Sequence, residues 1–189
     1  MDLNSNGEIF VTGQFYATIT IDGNSITSSG STDIFVAKFH ANLTNIWLVK
    51  AGGSEGMYGD SGAAIAVDSN GDAYLTGSID EEAAFGSTTL YASSKDIFFA
   101  KILANGTWDW ATTNSSSSGT SWGTDVLINT NGEIIFSGRF RNIDWWTTTK
   151  SGYGFVASLN SSGTYQWAAG FDTDFFNGIS IDNNGLIYA

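Results

Sequence analysis

Val67-Asp-Ser-Asn-Gly-Asp-Ala-Tyr-Leu-Thr-Gly77 is written three times in this chain and begun a fourth time. The other copies are Leu3-Asn-Ser-Asn-Gly-Glu-Ile-Phe-Val-Thr-Gly13, Ile128-Asn-Thr-Asn-Gly-Glu-Ile-Ile-Phe-Ser-Gly138 and the shorter Ile181-Asp-Asn-Asn-Gly-Leu-Ile-Tyr-Ala189. Their Asn-Gly pairs open at positions 6, 70, 131 and 184, intervals of 64, 61 and 53 residues, so the period is real and its length variation is assigned to loops. An Asn-Gly pair between two apolar runs is the strongest short-range hairpin signal, because a type I′ turn needs positive φ at both central residues. Each copy is therefore expected to be a β-hairpin.

A second module follows each hairpin: Asp33-Ile-Phe-Val-Ala-Lys38, Asp96-Ile-Phe-Phe-Ala-Lys101 and, more loosely, Tyr153-Gly-Phe-Val-Ala-Ser158. Each runs through a short polar turn into a strand with one Trp in equivalent place, Trp47, Trp110 or Trp167. Every period thus holds four strands in two hairpins, separated by variable stretches at 16–32, 79–95 and 140–152. That organisation predicts an all-β fold of four-stranded antiparallel repeats, the pattern of β-propeller blades, at about residues 1–60, 61–122 and 123–176 with a partial fourth at 177–189. The apolar runs 63–67 and 126–128 suit innermost strands, and the Trp-bearing strands suit the outer edge. No stretch of ten residues has helical periodicity, and a two-sheet sandwich leaves the four-strand repeat unexplained.

The chain resembles the bacterial and archaeal SBBP-type β-propeller repeat, through Val67 to Gly77, Asp96 to Lys101 and Trp110, with weaker echoes in the other copies. It differs in having no Pro in its loops and in the order of residues after the turn Gly. The resemblance implies a propeller fold and a secreted or cell-surface location, and it names no ligand.

Composition narrows the functional classes. Nineteen acidic against seven basic residues give a net charge of -12, and the few Lys and Arg form no stripe to neutralise a phosphate backbone, which argues against nucleic acid. The longest apolar runs fall far short of the roughly 20 residues that span a bilayer, so membrane insertion is not expected. Cys is absent, which removes disulfides, thiolate metal sites and cysteine nucleophiles. Sequons at Asn42, Asn105, Asn114 and Asn160 are compatible with an extracellular protein, although a chain rich in Asn, Ser and Thr generates them by chance.

Candidate chemistry is sparse. His40 is the only histidine and reads as a surface residue at a strand end rather than a catalytic base. Asp68, Asn70 and Asp72 alternate as Ca²⁺ ligands do, yet a tight Asn-Gly turn is too short to wrap a cation, so a purely structural turn is expected and no cofactor is assigned. Glu81, Glu82, Asp144, Asp172 and Asp174 are the acids from which a glycosidase pair would have to come, and a solvated acidic rim is the simpler reading. Aromatic residues outside the repeat pattern are Tyr58, Trp108, Trp122, Trp145, Trp146, Phe171, Phe175 and Phe176. Trp145 and Trp146 point to opposite faces of any shared strand, and with Trp122 and Asp144 they make the candidate glycan-binding set, since an exposed Trp stacks on a sugar ring. The expected function is a non-enzymatic extracellular scaffold or adhesion module, with a lectin-like binder as the alternative and a propeller glycosidase third. Both chain ends cut through the repeat, so assembly with other blades or copies through open strand edges is expected.

Overall fold

The computed structural model describes residues 1–54, 56–114, 119–140, 143–145, 148–150, 153–171, 177–182 and 185–188, with the backbone alone described for 143–145 and 148–150. All of its regular structure is β. The first period contains β1 (Asp2–Leu3), β2 (Ile9–Phe15), β3 (Thr18–Ile21), β4 (Asn24–Thr27), β5 (Asp33–Phe39) and β6 (Asn45–Ala51). The second contains β7 (Ser61–Val67), β8 (Ala73–Phe85), β9 (Thr88–Ile102) and β10 (Trp108–Thr113). The third contains β11 (Trp122–Ile128), β12 (Ile134–Arg139), β13 (Ile143–Trp145), β14 (Thr148–Lys150), β15 (Gly154–Leu159) and β16 (Tyr165–Phe171), and β17 (Ser180–Ile181) and β18 (Ile187–Tyr188) follow. Three four-stranded antiparallel sheets result, ordered β1-β2-β5-β6, β7-β8-β9-β10 and β11-β12-β15-β16. In each, the Trp-bearing strand is one edge and the strand leading into the Asn-Gly hairpin is the other.

Alternation along the strands explains how the sheets pack. Along β9, Phe98, Ala100 and Ile102 join Phe10, Ile34 and Val36 of the first sheet in one core, whereas Ile97 and Phe99 join Phe136, Phe155 and Leu159 of the third in another. The second sheet is therefore buried on both faces, which is why its strands read as unbroken apolar runs. The repeated Thr-Gly pair supplies the joints. Gly13, Gly77 and Gly138 lie opposite Phe35, Phe98 and Phe155 in the ladder, and a Cβ would come within 2.8, 2.9 and 2.6 Å of those rings. The preceding Thr12 and Thr76 donate to the carbonyls of Phe35 and Phe98 at 2.9 and 2.8 Å. Their other sides meet Gly62 and Gly123 of the next period, where a Cβ would collide with the threonine hydroxyl.

The hairpin turns differ from the type I′ expectation. Gly7, Gly71, Gly132 and Gly185 have φ of 73, 82, 77 and 83°, while Asn6, Asn70 and Asn131 keep negative φ. The chain makes a type I turn closed by a left-handed glycine, the G1-bulge loop. Its cause is the residue three before the glycine: Asn4, Asp68 and Asn129 each accept two backbone N–H bonds through Oδ1, at 2.8 to 3.0 Å, which favours this loop over a two-residue one. A true type I′ loop occurs elsewhere, at Asp22-Gly23 with φ of 49 and 85°, joining β3 to β4 in a ribbon.

That ribbon is a second departure. The stretches 16–32, 79–95 and 140–152, assigned to loops, carry β-ribbons in all three periods: β3-β4, the outer halves of β8 and β9, and β13-β14. Glu81 and Glu82 accordingly lie at a bulge of β8, where Glu81 has a φ of 60°.

Candidate functional site

At the end of the sheets where β7 and β11 begin, a cleft of about 320 Å³ is lined by Gln14, Ser61, Ala63, Gly77, Ser78, Lys95, Trp122 and Gly123. It draws on β2, β7, β8, β9 and β11, so all three sheets contribute to it. The tight Gly62–Thr12 and Gly123–Thr76 joints set how they meet, because they hold the first residues of β7 and β11 against the middle of β2 and the first half of β8. Trp122 is half-buried at the start of β11. The Arg139 guanidinium, its cross-strand neighbour, lies 5.1 Å from the centre of the indole ring, a cation–π contact that orients the ring.

The charge of this cleft is unusual for the chain. Lys38 pairs with Glu8 at 2.8 Å, Lys50 with Asp33 at 2.8 Å, and Lys101 with Asp72 and Asp109 at 3.0 and 3.3 Å. No ion pair engages Lys95 among the described residues. No carboxylate lines its cleft. At the opposite end of the same strands, a cleft of about 330 Å³ between 65–67 and 125–128 has Asp2 and Asp125 in its wall. Asp2 accepts from the Val67 N–H at 2.8 Å and Asp125 from the Ile179 N–H at 2.9 Å, so those two carboxylates tie neighbouring periods together.

The alternating acids of the second hairpin are engaged by the protein itself. Asp68 Oδ1 accepts from Asn70 and Asp72 N–H, and Asp72 accepts from the Ala104 N–H at 3.0 Å and the Lys101 ammonium. Burial is the largest influence on Lys101 and by itself would lower its pKa, but the hydrogen bond to Asp72 and further attractions outweigh it and push the pKa up to about 12. With their lone pairs so used, millimolar EDTA is expected to leave the melting temperature unchanged. A fall of several degrees, reversed by added calcium, would show instead a cation bound to the native state.

Other candidates scatter. His40 is exposed, and its N–H donates to the Thr44 carbonyl in a turn. Trp108 is structural: its indole donates to the Lys50 carbonyl at 3.2 Å and meets Phe85 edge-on at 5.0 Å. Tyr58 is exposed within the β6-β7 connection, and Phe171 is exposed at the end of β16. Asp144 and Trp145 are on β13, described by backbone alone, while Trp146, Asp172, Asp174, Phe175 and Phe176 lie outside the described residues. Of the sugar-binding set, Trp122 alone is placed in the cleft.

Sequence reasoning missed a group of buried acids near the same end. Asp33, Asp60, Asp80 and Asp96 are nearly inaccessible to solvent. Asp60 accepts from the Gly53 and Asp80 N–H groups at 3.0 and 2.8 Å, and Asp80 from the Tyr58 N–H at 2.6 Å. Asp60 and Asp80 hold the connection from β6 to β7 over the sheet ends. Asp33 and Asp60 carry the weak signal of a carboxylate at or just before the start of a strand, whereas Asp80 and Asp96 lie inside β8 and β9.

No family model matches the chain, and no curated protein is detectably similar to it.

Proposed function

We propose that this chain is a run of β-propeller blades acting as a non-enzymatic, extracellular scaffold or adhesion module, joined to further repeats through its outer faces. One observation supports this reading above the rest. The Trp47 indole of the first sheet donates to the Ala104 carbonyl of the second at 3.1 Å and packs on Gly106, 3.1 Å from a Cβ built there. The Trp110 indole of the second sheet donates to the Ser161 carbonyl of the third at 3.0 Å and packs on Gly163 in the same way, at 2.9 Å. The same joint at successive steps is what a repeat array needs if each sheet is to turn by a similar amount from the last. The SBBP resemblance supports the extracellular location.

The joint also indicates where assembly continues. Trp167 is the next member of the series, beside a hollow of about 460 Å³ lined in part by Asn131, Glu133, Asn160 and Gln166. Its indole turns back to Glu133 at 2.6 Å, occupying the position that lysine takes in the first two periods, where the third has Ser158. The turn equivalent to those of Gly106 and Gly163 in the first period carries exposed Leu43 at a φ of 68°. A leucine there presents a side chain where the Trp face would seat. Light scattering at micromolar concentration is expected to find particles larger than the 20.1 kDa chain, with Leu43→Gly raising the assembled fraction and deletion of 177–189 lowering it. A monodisperse, cooperatively melting particle of chain mass would refute the assembly.

Saccharide binding is the second reading, favoured by Trp122 in a cleft with hydroxyl and amide side chains around it.

A further inference from the structure

Resting on the saccharide-binding reading, we infer that the Lys95–Trp122 cleft selects an acidic sugar, a pyranose ring bearing a carboxylate at the end of a glycan. The argument begins from charge. In a chain of net charge -12, Lys95 lines a cleft with no carboxylate in its wall and has no ion pair among the described residues, although buried Asp80 is its cross-strand neighbour. The three other lysines whose side chains are described are neutralised by one or two acids each. A neutral sugar can offer the Lys95 ammonium only hydroxyl acceptors, whereas an anion adds the attraction of opposite charge in a stronger, charge-assisted hydrogen bond.

The remaining lining decides which anion. Trp122 offers an aromatic surface held in place by Arg139, suited to the apolar face of a ring. Gln14, Ser61 and Ser78 offer an amide and two hydroxyls, each able to donate and accept, as a ring with several hydroxyl groups requires. One ammonium matches one carboxylate. A phosphate or polyphosphate calls for several converging cations or a nest of backbone N–H groups, and Lys95 is the only basic residue in the wall. The volume of about 320 Å³ is at the small end for ligand pockets, roughly 300 to 1,000 Å³, which suits a terminal residue rather than a long chain segment. The opposite cleft, with Asp2 and Asp125 in its wall, has the wrong sign for the same ligand.

The test is calorimetric titration of the full chain with disaccharides ending in glucuronic or galacturonic acid, against the matched glucose and galactose compounds. The acidic sugars are expected to bind at least about tenfold more tightly, the usual scale of a hydrogen bond to a charged group. Raising the salt should narrow the preference. Lys95→Gln, a substitution at a partly exposed side chain with no ion pair to lose, is expected to abolish the preference, the loss of affinity falling chiefly on the acidic sugars, and to leave the melting temperature unchanged. Trp122→Phe should weaken both classes. Equal affinity for acidic and neutral sugars, or a preference that survives Lys95→Gln, overturns the inference and leaves saccharide binding standing. Silence toward every sugar at millimolar concentration overturns both.

Discussion

Phe99→Ala is expected to destabilise the protein by about 3–5 kcal/mol, the range for truncating a fully buried phenylalanine. The Phe99 side chain is inaccessible to solvent and meets Phe136 edge-on with ring centres 4.7 Å apart. This pair joins the second sheet to the third, in a core shared with Tyr74, Phe140 and Phe155. The neighbouring ring of Phe98 belongs to the other core. The loss should therefore fall on the contact between sheets two and three, with the first core intact. Urea unfolding followed by tryptophan fluorescence should show a lower midpoint. Hydrogen exchange should show protection lost first in 122–128, 134–139 and 154–159. A change below about 1 kcal/mol, or uniform loss of protection, would contradict two separate cores.

The second large effect is on pH dependence. Burial is the main cause that pushes the Asp60 carboxyl up to about 7 from its ordinary 3.8, and nearby Asp33 and Asp80 push it in the same direction, against the backbone N–H groups of Asp80 and Gly53. In the unfolded chain this group releases its proton near 3.8, whereas in the folded protein it holds it to about 7. The folded state thus binds the extra proton between those values, and stability falls as pH rises through them, levelling off above. The shift corresponds to an upper figure of roughly 4 kcal/mol. Glu8 acts oppositely: the hydrogen bond from Lys38 holds it below its ordinary 4.5, so its contribution is lost as pH falls through that lowered value. The optimum should lie on the acid side of neutrality. Melting temperatures from pH 4 to 8 should decline, and Asp60→Asn should flatten the decline even though its single amide oxygen serves one N–H fewer. A wild-type profile that rises over this range would remove Asp60 from the account.

The repeat made the sheets legible because its residues are structural: the asparagine or aspartate of the turn, the threonine and glycine of the joint, the phenylalanine over that glycine, and the tryptophan at the edge. The turn type was misread because Asn-Gly is read as a two-residue loop, and the side chain of Asp68 that selects a longer one lies outside the pair. The ribbons were missed although Thr18-Ile-Thr-Ile21 and Asp22-Gly23 carry alternation and a type I′ signal. Attention to what the periods share conceals what each holds alone. Trp122 was visible as an aromatic outside the pattern. Lys95 and Gln14 were not, because the cleft is assembled from strand ends far apart in the chain, where no local spacing reports convergence.

A sheet with an apolar face on each side has a consequence for how such a chain grows and fails. The first and third sheets do not share a core, so each answers only to the second. Coupling of this kind runs between nearest neighbours, and a period can be added to or removed from an end without repacking the middle. The cost of that modularity is uneven resilience. A lesion in an outer sheet stays local, whereas loss of the second sheet as a whole disconnects both of its neighbours at once.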